Sequence, residues 1–257
     1  MEKLPTTPAQ ASASKVAVSA LCDLKNLQTG DECYFLFNSG MNDAAYNMAV
    51  DEALLETAAK HDVPVLRFYG WTQPAATFGY FQKFSEVENT IQLRPLIRRP
   101  TGGGIVPHDA DWTYSFAVPP DHAWYSLAAI ESYRRIHVWI KNAFSRLNIE
   151  TELATCCQKS LPGQCFVGHE KFDLLWHGRK IAGAAQRRNK FGLLIQGSVQ
   201  PPPVPLARTD WETAMAMAGQ NDFAIKWIEF CPSASFRVLA ESLAREKFSR
   251  MNYNQKR

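Results

Sequence analysis

Apolar and polar positions fall into several regimes along this chain, and each predicts a different kind of element. The first 30 residues, rich in Thr, Ala, Ser and Gln, keep no period, which predicts a flexible tail rather than a packed segment. At Tyr34-Phe35-Leu36-Phe37 the pattern turns strand-like, and residues 44–60 then carry apolar positions at helical spacing, interrupted by Asp51 and Glu52. Short runs rich in aromatic and β-branched residues follow at 65–69, 76–80, 96–99 and 112–118. Gly, Pro and polar residues punctuate them, as expected of sheet strands.

Residues 126–147 repeat Ile130, Tyr133, Ile136, His137, Ile140 and Phe144 at spacings of three and four, which predicts a long amphipathic helix packed on that sheet. Strands are expected again at 171–176 and 179–183, reversing through His177-Gly178, and at 193–199. Pro201-Pro202-Pro203 ends the last of these, and helices are expected around 210–218 and 235–250. Hairpin-connected strands with one long crossing helix predict an α+β fold, with mixed, largely antiparallel sheets packed with helices. The expected organisation is a tail over residues 1–30 and a single domain over 31–257.

Composition narrows the function more than the fold. With 257 residues, 46% of them hydrophobic, the chain can bury one large core, and a formal net charge of +3 marks no nucleic-acid binder. The six cysteines, at 22, 33, 156, 157, 165 and 231, are scattered without a CxxC pair. That pattern predicts free thiols in a reducing, cytoplasmic setting rather than a disulfide framework or a zinc site. No apolar run approaches the roughly 18 residues needed to cross a bilayer. The stretch Val16 to Cys22 fails as a lipoprotein signal, since Leu21 rather than a small residue precedes the cysteine.

Three segments carry candidate chemistry. Arg98-Arg99-Pro100-Thr101-Gly102-Gly103-Gly104 follows a predicted strand, and its glycines would let backbone N–H groups approach an oxygen-rich ligand. Alone, the triplet fits an ordinary turn equally well, and it has neither phosphate-loop nor dinucleotide spacing. Gly178-Arg179-Lys180-Ile181-Ala182-Gly183-Ala184-Ala185-Gln186 sets a lysine between a reversal and a small-residue run. A solvated strand-edge lysine is the ordinary reading of such a position. Cys165 lies in a Gly/Pro stretch, where a nucleophile is more natural than in an apolar strand, although Cys156 and Cys157 compete with it.

Taken in order, these segments resemble the biotin/lipoate protein ligase superfamily, and most closely its cysteine-dependent octanoyltransferase branch. The resemblance runs from about residue 34 to 199 and includes Asn47-Met48-Ala49-Val50-Asp51-Glu52-Ala53-Leu54-Leu55, Leu66-Arg67-Phe68-Tyr69-Gly70-Trp71 and Gly79-Tyr80-Phe81-Gln82. It implies the catalytic-domain fold of that superfamily. It also implies an acyl site formed by Arg99, Gly102, Gly103, Gly104, His108, Gly183 and Ala184, with Lys180 on the acyl carbonyl and Cys165 as the acyl-accepting thiol. The implied reaction takes octanoyl-acyl carrier protein as donor and a lysine of a lipoyl domain as acceptor, either glycine cleavage H protein or a dehydrogenase E2 subunit. No cofactor, metal, nucleic acid or membrane is implied.

Three alternatives stay open: an ATP-dependent lipoate ligase, an amidotransferase between carrier domains, and a non-catalytic acyl-binding module. ATP-dependent ligases usually follow His-Asp with Gly-Asn and a second Asn. Here the chain reads His108-Asp109-Ala110-Asp111-Trp112-Thr113.

Overall fold

The computed structural model describes residues 32–158 and 168–256. In chain order the elements are β1 (Glu32–Asn42), α1 (Ala44–His61), β2 (Val65–Trp71), β3 (Ala75–Phe78), the single turn α2 (Phe84–Val87), β4 (Leu96–Arg98), β5 (Val106–His108) and β6 (Trp112–Val118). Then come the single turn α3 (Ala123–Ser126), α4 (Ala129–Arg146), β7 (Glu152–Leu153), β8 (Leu174–Trp176), β9 (Arg179–Asn189) and β10 (Gly192–Val199). The chain continues with α5 (Arg208–Asp222), β11 (Ile225–Glu229), α6 (Ala234–Leu243), a π-helical turn (Ala244–Phe248) and the short α7 (Met251–Asn254).

Among the described residues the strands form an eight-stranded sheet, β11-β1-β2-β6-β10-β9-β8-β7, and a three-stranded sheet, β4-β3-β5. β11 and β2 both run parallel to β1, and β4 runs parallel to β3, while the remaining pairs are antiparallel. This is the mixed α+β architecture expected from the pattern.

The central strands are covered on both faces, so β2, β6 and β10 are buried at every position rather than at alternate ones, and their polar residues, such as Arg67, Ser115 and Gln196, are buried with the rest. Leu66, Phe68, Tyr114, Phe116, Leu193 and Ile195 pack against Ile136, Trp139, Ile140 and Phe144 of α4 and Trp211 and Met215 of α5. On the other face Val65, Ala117 and Leu194 meet Val50, Leu54 and Leu55 of α1 and Phe236 and Ala240 of α6. Each large side chain so buried contributes roughly 1.5–3 kcal/mol. The Trp139 indole N–H also donates to the Met215 carbonyl at 2.8 Å, joining α4 to α5.

Several boundaries differ from the pattern. The helix expected over 126–147 is α4 and starts three residues later, at Ala129, with Ser126 ending the separate turn α3, and Ile130, counted in its apolar stripe, is 53% exposed. The strand expected at 171–176 is shortened to β8, while β9 extends six residues past the expected end at Gly183. β11 has no counterpart among the expected strands. It adds to the sheet edge only through parallel pairing with β1 from the far end of the chain, which no local signal announces. The His177-Gly178 reversal is present as a two-residue turn, with both φ angles positive (48° and 74°).

Asp51 and Glu52 interrupt the apolar run of α1 in sequence, yet both are buried. Asp51 accepts from Arg67 Nη1 at 2.6 Å, Tyr69 at 2.9 Å, Ser115 at 2.5 Å and Gln196 Nε2 at 2.7 Å. Arg67 also donates to the Asn47 side chain at 2.7 Å and to Ser39 at 2.8 Å. Asn47 and Asp51, one turn apart on α1, therefore face the same guanidinium on β2. Burial and the Asp51 carboxylate push the Tyr69 hydroxyl pKa well up, so it stays a protonated donor. No helix among the described residues is long and apolar enough to cross a membrane.

Candidate active site

A cleft opens where β9 and β10 face the three-stranded sheet. Counted out to its open mouth, the cleft holds about 480 Å³ of free space. Met48, Val106, Ala184 and Ala185 give it an apolar side, and Arg99, His108, Lys180, Gln196 and Ser198 bring polar groups to it.

Lys180 reaches this cleft because β9 is bulged. Leu175 pairs with Lys180 but Leu174 pairs with Ala182, so one extra residue sits on β9 between them. In a regular strand residues i and i+3 face opposite sides, whereas a bulge re-aims one of them. Here Lys180 lies over Gly183: a Cβ at Gly183 would stand 2.6 Å from Lys180 Cε and 2.8 Å from Nζ. The lysine is not the solvated edge residue of the ordinary reading. Its side chain is 9% exposed, and Nζ lies 2.7 Å from the carboxylate of fully buried Asp173.

Asp173 does not stand out in the sequence. It opens the apolar run Leu174-Leu175-Trp176 as a lone charged residue, and that is the only signal the sequence offers. Its Oδ2 also accepts the Glu170 N–H at 2.6 Å, and Oδ1 accepts the Tyr133 hydroxyl from α4. Burial first, and Asp173 second, raise the Tyr133 pKa well above the usual tyrosine range. His137, one turn on, donates from Nδ1 to the Tyr133 carbonyl at 2.9 Å and is pushed down to about 4 by burial, leaving a neutral ring.

The Gly-rich segment is clamped from several directions. Arg99 Nε and Nη2 donate to the Gly102 carbonyl at 3.0 and 2.6 Å, and Nη1 reaches Thr77 Oγ1 at 3.3 Å. Thr101 donates to Gln196 Oε1 at 2.7 Å, tying the segment to the Asp51 network. Gly103 has φ +84° and lines the cleft, and its carbonyl passes Gly79 so closely that a Cβ there would stand 1.9 Å away. Of Gly102, Gly103 and Gly104, then, Gly103 is the one at the cleft wall among the described lining residues. The adjacent Arg98 points away to bind other segments. Its Nη1 donates to the Tyr80 and Gln82 carbonyls at 2.8 and 2.7 Å, and its backbone N–H and Nη2 bind Asn254.

His108 is nearly buried, stacked on Trp71 with centroids 3.9 Å apart. Its Nδ1 donates to Asp111 Oδ2 at 2.8 Å and its Nε2 lies 2.9 Å from Thr77 Oγ1. Asp111 Oδ2 also accepts from Ser198 at 2.6 Å and Thr113 at 3.2 Å. Downstream of the His-Asp pair, where the chain departs from the ATP-dependent ligase pattern, it thus has a buried carboxylate that orients His108. Arg99, Gly103, His108, Lys180, Gly183 and Ala184 are brought together around one cleft. Cys165 lies outside the described residues, while Cys156 and Cys157 are exposed.

Residues 43–200 match the lipoyl protein ligase A/B catalytic domain family. The chain belongs to that family. Among curated relatives it is similar to the octanoyltransferase LipM of Halalkalibacterium halodurans, 35% identical over 181 residues that cover 65% of this chain and 66% of that protein. It is also similar to the octanoyltransferase LipM of Carboxydothermus hydrogenoformans, 38% identical over 175 residues that cover 66% of this chain and 62% of the relative. The matched region thus spans just under two thirds of these relatives' length. Among solved structures, lipoate-protein ligase A bound with ATP superposes with a TM-score of 0.72 at 22% identity, over 88% of this chain and 98% of that one. That likeness carries the lipoyl ligase fold.

Proposed function

We propose that this lipoyl ligase family member is an octanoyltransferase that moves an octanoyl group from acyl carrier protein, through a thioester on Cys165, to a lysine of a lipoyl domain. The observation that carries the reading is the placement of Lys180, a largely covered ammonium at the wall of a partly apolar cleft beside Gly103 and Ala184. The family match and relatives named octanoyltransferases support the choice of reaction.

In the first step the Cys165 thiolate attacks the carrier thioester carbonyl. A new C–S bond forms, the carrier C–S bond breaks, and the departing thiolate takes up the proton given up by Cys165. In the second step the neutral amine of the lipoyl-domain lysine attacks the acyl-enzyme, forming an amide, and its proton returns to the Cys165 sulfur. Both tetrahedral intermediates place negative charge on the carbonyl oxygen, where a fixed ammonium contributes most. The Lys180 head would supply that charge, and the apolar side of the cleft would hold the chain. One thioester replaces another in the first step, so no nucleotide is needed to drive it. The acceptor is a lipoyl domain of the glycine cleavage H protein or of a dehydrogenase E2 subunit.

The test is incubation of the purified chain with octanoyl-acyl carrier protein in the absence of ATP, followed by intact mass measurement and then addition of a lipoyl domain. An octanoyl adduct that forms without nucleotide, is lost in Cys165→Ala and passes to the lipoyl domain is the expected result. Attachment of free octanoate or lipoate that requires ATP and magnesium, and survives Cys165→Ala, would replace the transferase by a ligase. A cysteine adduct that passes to the lipoyl domain only from another acylated lipoyl domain would make it an amidotransferase.

A further inference from the structure

We propose that Asp173 is a positioning residue for acyl transfer: its buried carboxylate, held by Tyr133, fixes the Lys180 ammonium at one point on the cleft wall. The proposal rests on the transferase reading given above and adds to it a residue outside the Gly-rich and Lys180 segments.

Asp173 is fully buried, and its carboxylate takes three donors from three parts of the chain. Oδ2 receives Lys180 Nζ at 2.7 Å from β9 and the Glu170 N–H at 2.6 Å from the turn before β8, and Oδ1 receives the Tyr133 hydroxyl from α4. The Tyr133 oxygen in turn lies 3.4 Å from the backbone N–H of Ala184, a cleft residue. The backbone of Asp173 is anchored as well, with its carbonyl accepting from Ala154 N–H at 2.9 Å. The carboxylate therefore cannot turn without breaking contacts to α4 or to its own turn.

Stability gives little reason for such an arrangement. A buried ion pair loses hydration on both sides, and replacement by apolar residues of similar volume is often neutral or stabilising. Two features instead serve the direction of the lysine. The β9 bulge turns Lys180 to the cleft side, and Gly183 leaves open the space its Cε and Nζ occupy. A lysine has four rotatable side-chain bonds, so an untethered ammonium would sample many positions and lose the benefit of a fixed charge. The ion pair removes that freedom.

The experiment compares wild type with Asp173→Asn, Asp173→Glu and Tyr133→Phe, alone and in a Lys180→Ala background, with circular dichroism and thermal unfolding to verify folding. Acyl-enzyme formation from octanoyl-acyl carrier protein should fall by about 30-fold or more in Asp173→Asn, in kcat rather than KM. Asp173→Glu should recover a good part of the loss, and Tyr133→Phe should cost less than Asp173→Asn. In the Lys180→Ala background Asp173→Asn should add less than about twofold, because its effect passes through the lysine.

A second measurement does not depend on activity. Limiting acetylation near neutral pH, quantified by peptide mass spectrometry, should label Lys180 about fivefold faster in Asp173→Asn and no more than about twofold faster in Asp173→Glu, since breaking the buried ion pair releases Nζ from the carboxylate that holds it against Asp173. Equal losses from Asp173→Asn with and without Lys180, or unchanged Lys180 labelling, would overturn the proposal. If wild type forms no octanoyl adduct, the transferase reading fails, and the labelling still reports on the Asp173–Lys180 pair.

Discussion

Removing the Asp51 carboxylate tests whether the polar network beneath the cleft holds the domain together. In Asp51→Ala the Arg67 guanidinium, 0% exposed, loses its counter-charge, and breaking a buried pair from one side costs about 3–5 kcal/mol. Tyr69, Ser115 and Gln196 lose an acceptor at the same time, and each donor left unsatisfied costs about 1–3 kcal/mol before relaxation or water entry. Arg67 keeps its bonds to Asn47 and Ser39, which limits the damage. The expected loss is at least about 4 kcal/mol, a large share of the 5–15 kcal/mol typical of a domain.

Asp51→Asn also leaves the Arg67 guanidinium without its counter-charge and should cost about 3 kcal/mol, less than Asp51→Ala only by the hydrogen bonds it keeps. Its oxygen still accepts from Arg67 and Ser115, and a flip of the Gln196 amide can offer Oε1 to the new amide and Nε2 to Thr101. Urea unfolding followed by circular dichroism gives both values, with an unchanged slope showing that only stability moved. A loss below about 1 kcal/mol for Asp51→Ala, or equal losses for the two variants, would refute the reasoning.

Burial lowers the His137 pKa from 6.5 to about 4 in the folded chain, so the unfolded chain binds the extra proton first and stability falls as pH drops from about 6.5 toward 4, approaching roughly 3 kcal/mol below that window. Urea midpoints across that range should flatten in His137→Gln relative to wild type, and parallel slopes would assign the acid loss elsewhere. Gly183→Ala should lower the unfolding midpoint, because its Cβ would stand 2.6 Å from the Lys180 Cε that Asp173 holds in place and 3.2 Å from buried Asp173 Oδ1. It should also lower acyl-enzyme formation by about tenfold or more. Gly79→Ala instead sets its Cβ 1.9 Å from the backbone oxygen of Gly103, so thermal unfolding should show a loss of about 2 kcal/mol or more together with lost transfer.

The sequence alone determined the features that depend on local pattern and on runs of particular residues. The pattern marked α1 and the body of α4 by their helical apolar spacing, and β2, β6 and β10 as short runs rich in aromatic and β-branched residues bounded by Gly, Pro and polar positions. The family resemblance carried by the Gly-rich segment and the GRKIAG run singled out Gly103, Lys180, Gly183 and Ala184, which the fold brings to one cleft. Tertiary structure alone decided the rest. A parallel partner such as β11 is chosen by a strand at the opposite end of the chain. The one-residue bulge that turns Lys180 toward the cleft leaves no mark in composition. Asp51 and Asp173 look like interruptions of apolar runs until the chain folds and supplies Arg67 and Lys180 as their partners. A charge buried against a counter-charge distant in sequence is indistinguishable, residue by residue, from a charge left in water, and only packing separates the two.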